Sequence, residues 1–85
     1  MSYYLYVLQS QINQDFYIGL SENPNRRLNY HNVIEKGFTA RYRLWKLVFV
    51  KEFPSKPLTQ RVERKIKSWK SRLMIERFIK GEITI

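Results

Sequence analysis

The sequence predicts an α+β fold, a three-stranded, mainly antiparallel sheet flanked by about three helices. Three observations carry that expectation. Runs rich in aromatic and β-branched residues, Tyr3 to Gln9, Phe16 to Leu20 and Leu44 to Phe53, are separated by turn-forming or polar residues. Prolines stand beside polar capping residues, Pro24 after Asn23 and Pro57 close to Ser55, as at helix starts. Apolar residues recur at helical spacing at Leu58, Val62, Ile66 and Trp69.

The first run, YYLYVLQ, is short and apolar enough for a strand buried on both faces, with Tyr4, Tyr6 and Leu8 on one of them. Ser10 to Gln14 is polar apart from Ile12 and reads as a hairpin connection. A four-residue loop, Ser10 to Asn13, pairs Gln9 with Gln14 and sets Tyr6 directly opposite Tyr17. Gly19 falls on the Tyr17 face and reads either as a bulge or as a point of close approach by a ligand backbone. A first helix is expected from Pro24 to about Glu35, capped by Asn23 and stopped by Gly37, with Leu28 and Ile34 in its apolar stripe. Phe38 to Arg43, FTARYR, alternates aromatic and basic side chains, a pattern that suits a phosphate backbone or a loop pinned by Phe38 and Tyr42. After the Leu44 to Phe53 strand, Pro54 and Pro57 end the sheet and open a second helix capped by Ser55 or Lys56. Ser71 caps a last helix through Lys80, with Leu73, Ile75, Phe78 and Ile79 as its buried side.

The chain has 85 residues, which fits one domain, 1–85, near the lower size for a self-sufficient core. Without cysteine and with one histidine, it cannot build a disulfide framework, a thiolate metal site or a structural zinc site, so any metal is held mainly by oxygen. No apolar run is long enough to span a bilayer and the first residues lack a signal-peptide pattern, so a cytoplasmic protein is expected. The net charge of +9, from 16 Lys+Arg against 7 Asp+Glu, implies an anionic partner, with nucleic acid first. Basic residues outnumber acidic ones most clearly after Leu58. A membrane surface fits less well, because the basic residues share their helices with buried aromatics. An acidic protein as the docking partner is a third alternative.

Arg27 and His31 are four apart and share a helical face, so they can point together at whatever Tyr17 points at, and a phenol, a guanidinium and an imidazole converge. Glu63 lies beside the apolar stripe of the second helix with Lys67 one turn on, either facing the sheet or forming an ordinary surface ion pair.

Taken in order, these residues resemble the GIY-YIG nuclease superfamily, in particular its small stand-alone bacterial members, from about Tyr4 to Trp69. The second half of the motif is literal in Tyr17-Ile18-Gly19, and the first reads Tyr4-Leu5-Tyr6, with its leading glycine replaced. Arg27 and His31 follow with family-like spacing, then the WKLVF strand and Glu63 in ERKIKSW. The resemblance implies metal-dependent hydrolysis of DNA phosphodiester bonds, with damaged or branched DNA and DNA repair as the setting. Glu63 would hold Mg²⁺ or Mn²⁺, which needs few carboxylates because it keeps its waters. Tyr17 would be the general base. An unperturbed phenol ionises near about 10, so such a base needs cationic neighbours, here Lys67, His31 or the metal. Arg27 would bind the phosphoryl oxygens, Tyr6 would orient water or bind a phosphate oxygen, and His31 would assist the tyrosine or the leaving group. Gly19, Arg26, Arg41 and Arg43 complete the expected DNA contacts, and the chain would act as a monomer or weak dimer. An asparagine that many nucleases of this superfamily carry beyond the glutamate has no counterpart after Glu63. The alternative is therefore a non-catalytic nucleic-acid-binding module of the same fold.

Overall fold

The computed structural model describes residues 2–34 and 44–83. Its sheet is antiparallel throughout, in the order β2-β1-β3, with β1 spanning Tyr3–Ser10, β2 Phe16–Ser21 and β3 Trp45–Phe53. β1 is central because both of its faces are apolar: Leu5, Tyr6, Val7 and Leu8 are all buried.

The β1–β2 register differs from expectation. Tyr6 lies opposite Gly19 and Leu8 opposite Tyr17. The turn causes the shift. Ser10 stays in the strand, its N–H donating to Asp15 O at 2.9 Å, while its buried hydroxyl accepts from the N–H groups of Ile12 and Asn13 at 3.1 and 3.4 Å. Gln14 closes the turn at φ 66°. The loop thus begins at Gln11, one residue later than expected, and every pair moves by two. Because side chains alternate with period two, such a slip keeps Tyr6 and Tyr17 on the same face. In β3, the partners of Val7 and Leu8 are Phe49 and Leu47, so Val48 is the extra residue of a bulge.

One face is covered by α2 (Lys56–Ser68) and α3 (Arg72–Ile79), where Leu5, Val7 and Ile18 pack with Val62, Ile66 and Phe78. Ser55 caps α2 and Ser71 caps α3, each accepting from a backbone N–H with its side chain. Leu73, expected in the core, is 57% exposed. It stands five residues before Phe78, about 140° round the helix from it.

The opposite face carries Tyr6, Leu8 and Trp45, packed with Tyr17, Leu28 and Leu47. Here α1 (Pro24–Asn29) is capped by Asn23 as expected, but the helix does not run on regularly. It widens into a π turn over Tyr30–Ile34, and its expected end near Gly37 lies outside the described residues. Among the described residues, no helix is long and apolar enough to cross a membrane.

Candidate active site

The front face of the sheet gathers polar aromatic groups. Tyr6 projects from β1 and is 1% exposed. Its hydroxyl lies 3.2 Å from His31 Nε2 and is hydrogen-bonded by the Arg27 guanidinium. Arg27 can only donate, so the phenol oxygen accepts from it, while the direction of the bond to His31 Nε2 follows the imidazole tautomer. Arg27 and His31 therefore converge as their spacing predicts, both on Tyr6 and beside Tyr17.

Gly19 makes this placement possible. A Cβ there would stand 2.5 Å from both Cζ and the hydroxyl oxygen of Tyr6. The Tyr6 ring fills the space that a side chain at this position would take. Tyr17, half-buried, stacks 4.6 Å from the His31 ring, with Tyr6 at 6.5 Å and Trp45 edge-on at 6.2 Å. Arg27 lies 4.7 Å over the Tyr30 ring.

Burial raises the Tyr6 pKa above its usual 10.0, with the neighbouring Tyr17 and Glu63 adding to the effect and Arg27 opposing it. Tyr6 is thus a neutral phenol at pH 7. Arg27 is held more firmly as a cation, first by its hydrogen bond to Tyr6. Glu63, on α2, is near enough for its charge to act on Tyr6, and its carboxylate pairs with Lys67 Nζ at 3.5 Å, the lysine being the more exposed partner.

The chain matches the family model of the GIY-YIG catalytic domain over residues 2–77. It belongs to the GIY-YIG family. A solution NMR structure of a UPF0213 protein from Bacillus halodurans is similar to it, with a TM-score of 0.61 and 26% identity over 94% of this chain and 84% of that one. No curated protein matches the chain. The antiparallel sheet with its helices is accordingly the GIY-YIG nuclease-type fold.

In this GIY-YIG chain the two half-motifs interlock. Tyr4-Leu5-Tyr6 runs along β1 and Tyr17-Ile18-Gly19 along β2, with Tyr6 lying over the glycine of the other half. Arg26 is exposed and lines a groove of about 630 Å³ with Tyr3, Ser21, Arg27 and Tyr30. Arg41 and Arg43, with the rest of FTARYR, lie outside the described residues.

The donor set decides which metal would fit. Among the described residues, no group of three His, Cys, Asp or Glu side chains could hold an ion. A single half-buried carboxylate, Glu63, suits Mg²⁺ or Mn²⁺, whose remaining positions water and phosphate oxygens fill, and does not suit zinc.

Two contributors escaped sequence reasoning. Trp45, 3% exposed, walls the tyrosine cluster. Asn32 pins it from the π turn, its Nδ2 donating to Trp45 O at 3.1 Å and its Oδ1 accepting from Trp45 N at 2.6 Å. The available signal was a carboxamide directly after His31, on a helix side otherwise in contact with strands.

Proposed function

We propose that this GIY-YIG chain is a divalent-metal-dependent endonuclease that hydrolyses DNA phosphodiester bonds. The observation that carries the reading is the convergence of Tyr6, Tyr17, Arg27 and His31 on one sheet face, with the Glu63 charge acting on it.

Phosphodiester hydrolysis needs an activated water, compensation of charge on the phosphoryl oxygens and assistance to the departing oxygen. Tyr17, half-buried and so within reach of solvent, takes the proton of the attacking water. Its neighbourhood supports that role, since the Arg27 charge lies close enough to interact with it. Arg27 binds the phosphoryl oxygens through its planar fork. Tyr6 and His31, each 1% exposed, lie beneath the surface and act by positioning: together they fix Arg27 and the face of Tyr17. Glu63 holds Mg²⁺ or Mn²⁺, with Lys67 orienting its carboxylate. A divalent ion bound there supplies the positive charge that offsets the developing phosphoryl and leaving-group charge.

Branched or damaged DNA in repair is the substrate and setting we assign. The chain acts as a single domain in the cytoplasm, as a monomer or weak dimer, with Arg26, Arg41 and Arg43 as further phosphate contacts. One observation favours a second reading, a non-catalytic DNA-binding module: no asparagine follows Glu63.

The test is cleavage of plasmid and branched DNA with Mg²⁺ or Mn²⁺ by wild type, Tyr17→Phe and Glu63→Gln, with DNA affinity measured alongside. Tyr17→Phe should lose on the order of 10²-fold or more in rate, as for a general base, and keep its affinity. Glu63→Gln should lose metal-dependent cleavage while its DNA affinity persists or rises, since a negative charge is removed. DNA binding without cleavage by wild type selects the second reading.

A further inference from the structure

α2 and α3 are joined by Trp69, Lys70 and Ser71, and at this elbow lies an open cleft of about 360 Å³. Tyr17 and Ile18 of β2 belong to its wall, so it lies along the edge strand that also carries the candidate active site. Phe16, Ile66 and Ile75 supply apolar lining, and Lys67, Lys70 and Arg72 supply positive charge against the single carboxylate of Asp15.

The cations differ in what already occupies them. Lys67 is paired with Glu63 at 3.5 Å. Arg72 pairs with Glu76 at 3.7 Å and donates to Gln14 O at 2.7 Å, tying α3 to the β1–β2 turn. Lys70 makes no ion pair among the described residues. It also holds the backbone at φ 48°, a left-handed conformation where glycine or asparagine carries less strain than lysine. A strained backbone position occupied by an unpaired cation, at the mouth of a cleft beside Tyr17, points to a ligand for that cation.

We propose that the α2–α3 elbow is a second anchoring point for the DNA strand being cut. The cleft takes one nucleotide flanking the scissile phosphate. Lys70 contacts that nucleotide's phosphate, with Lys67 and Arg72 adding to the local field, and the apolar lining meets the sugar or base face. This inference rests on the nuclease reading and extends its substrate contact from the Arg27 side of β2 to its Tyr17 end. An apolar lining suits a nucleotide because sugar and base offer apolar surface beside each phosphate, and stacking on a ring such as Phe16 is indifferent to sequence.

The test compares Lys70→Asn with the charge-matched control Lys46→Gln, an exposed position on β3. Asparagine tolerates the left-handed backbone, so the first variant removes the charge without adding strain. Affinity for one DNA oligonucleotide is measured over a salt series without divalent ions, together with affinity for a polyglutamate peptide. Lys70→Asn should weaken DNA binding about three- to tenfold and lower the slope of log K against log salt by about 0.9, one phosphate contact; Lys46→Gln should do neither. Equal losses in the two variants overturn the proposal, since DNA would then sense net charge alone. A loss confined to polyglutamate also overturns it, in favour of an acidic protein partner. Failure of wild type to bind DNA at all overturns the nuclease reading along with it.

Discussion

The two faces of β1 were built from the same strand to different ends. On one, Leu5 and Val7 meet Ile18, Val62, Ile66 and Phe78, a layer of aliphatic and phenyl groups beneath two capped helices. On the other, Tyr6 and Leu8 meet Tyr17, Trp45 and His31, beneath a short α1 and a π turn. Both are buried, but the one polar side chain that α2 buries on the first, Thr59, is satisfied within its own helix by donating to Ser55 O at 2.7 Å, whereas the second buries a phenol and an imidazole that meet from separate elements. The first face can tolerate shape changes at a cost in stability alone. On the second, a small displacement also moves groups that have to meet a substrate. The contrast makes stability and chemistry separable by mutation.

The largest expected effect lies on the aliphatic face. Leu5→Ala, at a fully buried position, should cost about 2–5 kcal/mol, because the cavity left between sheet and helices cannot close fully. Thermal melting should fall by about 4–8 °C per kcal/mol, and cleavage measured well below the new midpoint should change little.

Gly19→Ala tests the opposite face. The added Cβ has no room beside Tyr6, so the ring must move and release Arg27 and His31. We expect about 1–3 kcal/mol of destabilisation from overpacking. A disproportionate fall in cleavage, on the order of 10²-fold, should accompany it, as displacement of about 1 Å can cause. Unchanged cleavage with the same stability loss would show that the Tyr6 network does not serve the reaction.

The smallest effect concerns pH. Because the folded Tyr6 pKa is raised above 10.0, its contribution to stability is fully present below about pH 10 and is lost as pH rises through the folded value. Urea melts of wild type and Tyr6→Phe between about pH 9 and 11 should therefore converge or cross, wild type losing stability more steeply. Parallel curves would mean that burial does not hold Tyr6 neutral.

Much of this molecule is legible residue by residue. Alternation fixed Tyr6, Leu8, Tyr17 and Gly19 on one face, and the caps at Asn23, Ser55 and Ser71 stand where short polar side chains precede helices. The four-apart spacing of Arg27 and His31 foretold their convergence. Such features are local: they depend on side-chain period and on backbone groups a few residues away. The register depended instead on whether Ser10 belonged to strand or turn, a choice decided by its buried hydroxyl and the Asp15 pairing. The pairing of Gly19 with Tyr6 needed that register, and Leu73 could be placed outside only once α3 had chosen which side to dock. The sequence by itself determined the elements, their faces and the residue types of the site. The tertiary structure decided that Tyr6 joins Arg27 and His31 beside Tyr17, that Trp45 walls the cluster, and that Lys70 stands at a cleft lined by Tyr17. Those outcomes turn on contacts between residues far apart in the chain, set by packing across the sheet, and no local periodicity encodes them.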